Sequence, residues 1–362
     1  MPPLVLYQRL CQQLLACAPH FGVWHRQRLA LLVTGLLLAR HTALPRLAAH
    51  LRRVTPTAQA DSIERRLRRT LADSAFATSV FEQVVRTSLR GLPPGRCLLL
   101  LDDTQQTTHC ILSTLALAYG SRALPLAWCR WSGKLHGAYW QQINQLFDAA
   151  ARLLPAHVHP VVVADRGIAS PMLISLIQQH GWDYLVRVTA DTTMRLPEQP
   201  DQVLHLGELL EQPTGLVVRF RGWVFQHRRQ VWAHAVAVWQ AGHQEPWLLV
   251  SNLDLGRDLA HLYARRMHVE ALFRDAKSGG FEWELSRVLQ AERAERLLLG
   301  IMLALWCAVL LGEAAIRAGE IPAYGRRPHA VSLVRRGLDW LMAPARPHFF
   351  RWTLAPPKPV RI

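Results

Sequence analysis

Two apolar runs, each followed directly by aspartate, constrain the fold of this 362-residue chain more than any other feature. Cys97 to Leu101 precedes Asp102 and Asp103, and Val158 to Ala164 precedes Asp165. A strand that is buried on both faces reads as a continuous apolar run, because helices cover both sides of its sheet. The two runs therefore predict central strands that carry aspartates at their ends.

The rest of the chain predicts an α/β (α+β) protein in several parts, because 362 residues exceed one domain of usual size. Residues 1–92 are predicted to be a helical domain, and residues 93–318 a mixed α/β domain. Short alternating runs at about 190–250 predict an antiparallel β insertion within the second domain. Residues 319–362 form a basic, proline-rich tail.

Four polar or charged side chains lie at helical spacing near the start of the C-terminal third. At about 100° per residue, Tyr263, Arg266, Glu270 and Lys277 fall within roughly 60° of one another on a helix. A solvated face is the ordinary explanation of such residues, but that face would mix charges for i,i+4 pairing. A phenol, a lone acid and two bases beside an apolar face suit a helix that lies against a polyanion and contributes one carboxylate to its chemistry.

The pattern Tyr-x2-Arg-x3-Glu-x6-Lys resembles the signature of insertion-sequence transposases of family four, and all four residues match without a spacing error. The surrounding stretch from Arg266 to Lys277 is also similar to that family. The resemblance covers residues 97–290 approximately. It implies a ribonuclease-H-like mixed-sheet core with a β-strand insertion, preceded by a helical DNA-binding domain.

The resemblance also implies a catalytic triad of acids that hold metal ions. Asp103, Asp165 and Glu270 match this triad, and Asp103 is preferred to Asp102 because the family's metal aspartate precedes a threonine. Carboxylates are hard donors that suit two Mg²⁺ ions, with Mn²⁺ as a substitute, rather than zinc. Such ions activate the attacking oxygen and stabilise the leaving oxygen of a phosphodiester. The alternatives are a strand-end turn residue for Asp165 and an ordinary surface acid for Glu270.

Further residues match DNA contacts of the family. Tyr263, Arg266 and Lys277 resemble the residues that hold phosphates near the cleaved end. A phenol, a guanidinium and an ammonium group all donate hydrogen bonds to phosphate oxygens. Trp247 resembles the aromatic platform for a flipped base, although most of the 13 tryptophans are expected in the core. Arg274 lies close to the same helical stripe and is a further candidate phosphate contact.

A basic segment near the N-terminus predicts another DNA contact. Pro45–Arg53 and Ala58–Leu71 are predicted helices with a turn at Thr55–Thr57 between them, which resembles a helix-turn-helix. The second helix carries four candidate DNA-binding residues, Arg65, Arg66, Arg68 and Arg69. The alternative is a solvated face, because Asp61 and Glu64 lie on the same helix.

The net charge of +16 and a pI near 10.7 indicate a polyanionic partner. Three of the 42 basic residues are lysine, and arginine binds phosphate oxygens bidentately, although a GC-rich genome also explains the bias. The six cysteines lack zinc-site spacing, and no signal peptide is recognisable, so a cytoplasmic protein is expected. The apolar run Leu297–Gly312 is predicted to be a buried helix rather than a membrane span.

These features predict a transposase that cuts DNA at the ends of its own insertion sequence and joins them to a target. Water would attack first, and the freed 3′-hydroxyl would then attack the opposite strand as a hairpin and later the target. The expected partners are double-stranded DNA (terminal inverted repeats and target) and a second copy of the chain in a synaptic complex, without a membrane. The alternatives are a decayed or domesticated relative that represses transposition, and a ribonuclease or repair nuclease on the same core.

Overall fold

The computed structural model describes most of the chain, and every structural statement below concerns that part. The described residues are 2–107, 110–132, 138–209, 217–225, 229–239, 244–256, 258–319, 332–343 and 353–354. Most of the predicted basic tail at 319–362 lies outside the described residues.

Helices make up the described N-terminal region. They are α1 (Pro3–Cys17), α2 (Val23–Ala39), α3 (Leu44–Leu51), α4 (Ala60–Ala72) and α5 (Thr78–Leu89). Helix α2 is buried at every position from Leu29 to Leu38, which suits a helix that is apolar on all sides. Helix α4 is amphipathic instead, because Ile63, Leu67 and Leu71 face the core and its arginines face solvent.

The central part of the sheet has ribonuclease-H-like topology. Its strands are β1 (Gly95–Thr107), β2 (Cys110–Tyr119), β3 (Arg122–Ser132), β4 (Val158–Ala164) and β5 (Asp183–Arg187). Strands β1, β2 and β3 are antiparallel, whereas β1, β4 and β5 are parallel, in the order β3-β2-β1-β4-β5. Helices α6 (Tyr139–Leu153) and α7 (Pro171–Gln179) lie in the crossovers. The predicted fold class is confirmed, and the two apolar runs are adjacent parallel strands.

The β insertion continues the central sheet. It contains β6 (Thr193–Leu196), β7 (Gln199–His205), β8 (Val217–Val224), β9 (Val231–Val238) and β10 (Trp247–Ser251). Strand β10 pairs antiparallel with β5 on one side and with β9 on the other. The described strands therefore form one 10-stranded sheet, and β10 brings the end of the insertion back to the core.

The segment from Tyr263 to Lys277 contains a break, which corrects the prediction of one continuous helix. Helix α8 (Asp258–Ala264) and helix α9 (Met267–Ala276) are separated at Arg265 and Arg266. The N–H groups of both arginines donate to carbonyls three residues back, at 3.1 and 2.8 Å, where an α-helix uses four. Tyr263 therefore belongs to α8 and Glu270 to α9, while Lys277 follows the end of α9.

Helix α10 (Ala291–Arg317) is a core element. By length and composition it could cross a membrane, but 89% of its most apolar window is buried inside the fold. It packs against α2 and β3 and against α11 (Leu333–Met342). A Cβ placed on Gly337 of α11 would lie 2.1 Å from the Ala308 carbonyl oxygen, so these two helices touch backbone to backbone. The apolar run Leu297–Gly312 is thus part of a buried helix, as predicted.

Candidate active site

Two of the predicted acids come together because β1 and β4 are paired in register. Leu101 lies opposite Ala164 in the parallel ladder, so Asp102 and Asp165 follow at the same edge of the sheet. Adjacent residues of a strand point to opposite faces. Asp102 and Asp103 therefore have different surroundings, and the structure decides which of them lies beside Asp165.

Arg266 lies among three carboxylates. Its Nη1 donates to Asp102 Oδ2 at 3.0 Å, and its Nη2 lies 3.8 Å from Asp165 Oδ2. The same Nη2 donates to Glu270 Oε1, one helical turn further along the chain. The Arg266 side chain is 11% exposed, so its guanidinium is largely buried among these carboxylates. Asp102, Asp165 and Glu270 thus share one guanidinium as partner, and we call them the carboxylate cluster.

The prediction that Asp103 belongs with Asp165 and Glu270 needs correction. The carboxylate of Asp103 accepts a hydrogen bond at Oδ2 from the Tyr139 hydroxyl at 3.0 Å. The backbone N–H of Asp103 donates to Asp102 Oδ1 at 3.0 Å. Because strand residues alternate in direction, the turn of Asp102 toward Arg266 directs Asp103 to the other face of β1. The prediction relied on the threonine that follows Asp103. That threonine does not indicate which face of β1 is covered by α9.

The electrostatics of the carboxylate cluster differ between its members. Burial raises the pKa of Asp102 to about 6, opposed by the Arg266 charge and assisted by the Glu270 and Asp165 carboxylates. Burial also pushes the pKa of Asp165 upward, but the Arg166 backbone N–H and the Arg266 charge outweigh it and leave that pKa below its ordinary value. Glu270 is the most exposed member, at 35% against 15% and 29%. A ligand would therefore reach the cluster from the side of Glu270.

Tyr263 and Trp247 form the wall next to Asp165. The Tyr263 hydroxyl donates to Asp165 Oδ1 at 2.9 Å, and its ring packs edge-on against Trp247 with 5.1 Å between centroids. Burial raises the pKa of Tyr263, and the Asp165 charge raises it further, so the phenol stays protonated as a donor. Trp247 begins β10 and is partly exposed. The structure thus brings both predicted DNA-binding aromatic residues to the carboxylate cluster.

Lys277 and Arg274, both predicted phosphate contacts, differ in their surroundings: Lys277 contacts β1, whereas Arg274 is exposed. Lys277 Nζ donates to Thr104 Oγ1 at 3.1 Å and to the Gln105 carbonyl at 2.5 Å, which ties the end of α9 to β1. It also lies 3.4 Å from Glu284 Oε1. Arg274 is exposed on α9 and makes no ion pair with the carboxylate cluster. Lys277 therefore borders the site, whereas Arg274 faces solvent beside it.

The four predicted arginines of α4 are exposed, and none of them forms an ion pair with the carboxylate cluster. Arg66 and Arg69 line a groove of about 450 Å³ beside Trp24, which is 77% exposed. Arg68 pairs with Glu64 at 2.9 Å and lines a different groove, and Arg65 is also exposed. The predicted helix pair is present as α3 and α4, but its arginines point to more than one surface. Their contact with DNA stays a prediction.

Further charged residues near Asp165 were not predicted as site residues from the sequence. Arg166 directly follows Asp165, and Arg187 ends β5, the parallel neighbour of β4. Both guanidiniums contact Glu245 Oε2, with Arg187 Nη2 at 3.3 Å. The Arg187 charge helps to lower the pKa of Asp165. The signal that would have found Arg187 is its place at the carboxyl end of a strand in the parallel part of the sheet, where functional side chains meet.

Sequence comparison links this site to a known domain. Residues 140–307 match the Transposase DDE domain. Asp165 and Glu270 lie within the matched DDE domain, and Asp102 lies before it, on β1. The DDE domain match supports a DDE transposase, a class of nucleic-acid-cleaving enzyme that uses divalent metal ions.

Other comparisons add little to the DDE domain match. The fold is similar to a cryo-EM structure of the piggyBac transposase synaptic complex with hairpin DNA, with a TM-score of 0.48 and 10% identity. That similarity spans 96% of this chain and 84% of the other chain. The ribonuclease-H-like topology is defined by the strand order of the sheet. No curated protein matches the chain.

The donor set of the DDE-type site fits a hard divalent cation. Three carboxylates contact the same guanidinium, and carboxylate oxygens are the donors that Mg²⁺ or Mn²⁺ prefers. The described residues nevertheless hold no group of three His, Cys, Asp or Glu side chains arranged around a common point for a metal ion. Arg266 explains this, because its guanidinium lies between the carboxylates and supplies the positive charge there.

Proposed function

We propose that the chain is a cut-and-paste transposase of the family-four type, which hydrolyses and transfers phosphodiesters at the ends of its own insertion sequence. The observation that carries this proposal is the cluster of Asp102, Asp165 and Glu270 at one edge of a ribonuclease-H-like sheet. The transposase DDE domain match over residues 140–307 supports it independently. The exact Tyr-Arg-Glu-Lys spacing supports the finer family assignment.

Asp102, Asp165 and Glu270 would hold the divalent cations, expected to be two Mg²⁺ ions with Mn²⁺ as a substitute. Clustering three acids without cations would cost several kcal/mol of mutual repulsion, which the structure relieves with Arg266. When bound, such ions lower the pKa of an attacking water and neutralise charge on the phosphate. Asp103 has no part in this proposal, because it contacts Tyr139 instead.

The chain's own residues would position the DNA. Lys277, at the end of α9, and the exposed Arg274 would bind phosphates near the scissile bond. Trp247 lies beside Tyr263 at the cluster, which places an aromatic ring where an unstacked base could pack. Tyr263 would hold Asp165 in position through its hydroxyl. Water would attack first and the freed 3′-hydroxyl second, with a hairpin as the proposed intermediate.

The remaining partners follow from the same proposal. The DNA is expected to be the terminal inverted repeats and then the target, with the exposed arginines of α4 contacting the element end. Two copies of the chain would pair the ends in a synaptic complex. The protein would act in the bacterial cytoplasm, bound to the nucleoid. The net charge of +16 favours such a polyanionic partner.

Cleavage by a Glu270→Gln variant tests this function. The substrate is an end-labelled duplex that carries the inverted repeat flanking the gene, incubated with Mg²⁺ or with Mn²⁺. The variant should bind this duplex in a gel-shift assay as tightly as the wild type but should not cut it. Glu292→Gln, an exposed acid at the start of α10, is the matched control and should cut normally. Cutting by Glu270→Gln at the wild-type rate would overturn the site assignment.

The same assay separates the transposase from a decayed relative that only represses transposition. A repressor would bind the inverted repeat and leave it intact with either metal ion. The enzyme should produce a nick at the element boundary that depends on Mg²⁺ and disappears with EDTA. A wild-type chain that binds the end but never cuts it would favour the repressor.

A further inference from the structure

Arg266 is placed as a counter-ion rather than as an exposed phosphate contact. Its two terminal nitrogens reach three acids, through Nη1 to Asp102 and through Nη2 to Asp165 and Glu270. Its side chain is 11% exposed, less than that of Asp165 or Glu270. A side chain with this many carboxylate contacts is not free to bind DNA in the same conformation. Its role in the described state therefore differs from the one its motif implies.

The local backbone makes this placement possible. Arg266 lies in the tight turn between α8 and α9, directly before the first residue of α9. Tyr263, at the end of α8, donates to Asp165, and Glu270, in the first turn of α9, contacts Arg266. The planar guanidinium fork presents several N–H groups at fixed angles, which a lysine ammonium does not. One arginine in this turn can therefore bridge acids from two strands and a helix.

The charge balance shows how strongly the cluster depends on Arg266. Three ionised carboxylates carry three negative charges in a partly buried site, and each of them forms an ion pair with Arg266. An arginine side chain stays protonated in proteins. The guanidinium thus stays charged and offsets part of the repulsion among the acids.

We propose that Arg266 is a positioning residue that holds the three carboxylates together as an internal cation and competes with divalent metal ions for them. This inference rests on the proposed function, because it takes Asp102, Asp165 and Glu270 as the metal ligands. Arg266 and a metal ion cannot both occupy the space between the same oxygens. Metal loading therefore requires the guanidinium to turn away from the carboxylate cluster.

Reciprocal coupling follows from this competition. A DNA phosphate that draws Arg266 out of the cluster removes the competitor, so DNA binding should tighten metal binding, and metal binding should tighten DNA binding by the same factor. Arg266 would then contact the carboxylates in the free protein and a DNA phosphate in the complex. The enzyme would load its metal ions chiefly when DNA is present, which limits cleavage of unrelated phosphodiesters.

Mn²⁺ binding by an Arg266→Met variant, measured without DNA, tests the proposal. Methionine has a similar length but no charge, so the acids lose their internal cation. Free Mn²⁺ measured by electron paramagnetic resonance should show binding tighter than in the wild type by about 5- to 150-fold, the usual range of coupling between two sites. Arg86→Met, which changes an exposed arginine of α5, is the matched control and should bind Mn²⁺ like the wild type.

Three more measurements test the proposal, and those on Arg266→Lys and on the wild type with DNA do so even if Arg266→Met folds poorly. Arg266→Lys keeps the charge but lacks the fork, so its Mn²⁺ affinity should lie between the other two values. A short duplex of any sequence, added at a concentration too low to bind a measurable share of the Mn²⁺ itself, should raise the Mn²⁺ affinity of the wild type. It should leave the Mn²⁺ affinity of Arg266→Met unchanged. Thermal unfolding should show a larger rise in Tm on adding Mn²⁺ for Arg266→Met than for the wild type.

The outcomes separate this inference from the proposed function. Equal Mn²⁺ affinity in the wild type and in both Arg266 variants would overturn the competition and leave the metal site standing. Weaker binding by Arg266→Met would overturn it as well, because Arg266 would then assist the metal ions. Absence of Mn²⁺ binding from all variants, with and without DNA, would overturn the proposed function and this inference together.

Discussion

The Tyr139 hydroxyl donates a hydrogen bond to Asp103 Oδ2 at 3.0 Å, on the face of β1 that points away from Arg266. Asp103 thereby has a partner of its own from α6, and Asp102 is left to meet Arg266 from the other face. Two neighbouring carboxylates of one strand thus lie in different environments. The different roles of the two aspartates can be tested directly by replacing each of them with asparagine.

Asp102→Asn should abolish cleavage of the element end, whereas Asp103→Asn should retain it. Loss of a residue that only supports a metal ligand already costs about 10–100-fold in activity, so loss of the Asp102 carboxylate should cost at least that. Initial rates of Mg²⁺-dependent nicking on the inverted-repeat duplex give the comparison, with gel-shift affinity as the control for folding. Loss of cleavage in Asp103→Asn alone would return the metal role to Asp103.

Asp275 should make the stability of the protein fall as the pH rises from about 4 to about 6. Burial raises its pKa from 3.8 to about 6, with Arg122 opposing. In that range the unfolded state loses the proton first, so the folded state holds more protons and the free energy of unfolding decreases with pH. Asn cannot lose a proton, so Asp275→Asn should show a shallower fall, by at most about 3 kcal/mol across the range.

Urea unfolding of the wild type and of Asp275→Asn at pH 4, 5 and 6 measures this difference. Asp102 also has a pKa of about 6 and keeps part of the slope in the variant. Because Asp275 is largely protonated in the folded state below pH 6, its ion pair with Arg122 (Nε to Oδ2, 3.2 Å) forms only toward the upper end of this range, and the variant lacks it there. Identical slopes in the two proteins would show that Asp275 titrates at the same pH in the folded and unfolded states.

Gly337→Ala should destabilise the packing of α11 on α10. The new Cβ would lie 2.1 Å from the Ala308 carbonyl oxygen and 2.8 Å from the Gly312 amide nitrogen, and backbone atoms cannot move aside as a side chain can. Overpacking of this kind costs about 1–3 kcal/mol or more. Chemical denaturation should show the loss, while Gly91→Ala, where nothing lies within 4 Å of the added Cβ, should stay near the wild type. A neutral Gly337→Ala would mean that the two helices separate at low cost.

Local patterns were enough to predict the strands that build the site. Cys97–Leu101 is apolar without interruption and Val158–Ala164 is apolar except for the exposed His159, and the apolar residues of both runs are buried. The acids after them were recognisable because the apolar pattern of a strand is a local property. Glu270 was recognisable from the Tyr-Arg-Glu-Lys spacing, although the helix breaks between Tyr263 and Glu270. The β insertion was also recognisable from alternation, but its junction with β5 was not. That junction depends on the pairing of β10 with a strand more than 50 residues earlier.

The site residues were harder to predict where long-range contacts set their direction. A choice between Asp102 and Asp103 depends on the face of β1 that α9 covers, and no pattern around residue 102 records that. The break at Arg266 has no glycine or proline to announce it, since the sequence there reads as a continuous helix. Arg187 and Tyr139 reach the site from other elements and carry no motif of their own.

The sequence by itself determined the buried strands, the acids that follow their apolar runs and the Tyr-Arg-Glu-Lys spacing, because periodicity and residue chemistry are properties of short stretches. Only the tertiary structure decided that Asp102 joins Asp165 and Glu270, and that Arg266 lies among them. The physical reason is that a charged side chain in a partly buried site takes the direction in which opposite charge lies. For Arg266 that charge comes from residues about 100 and 164 positions away, which only the folded sheet brings into reach.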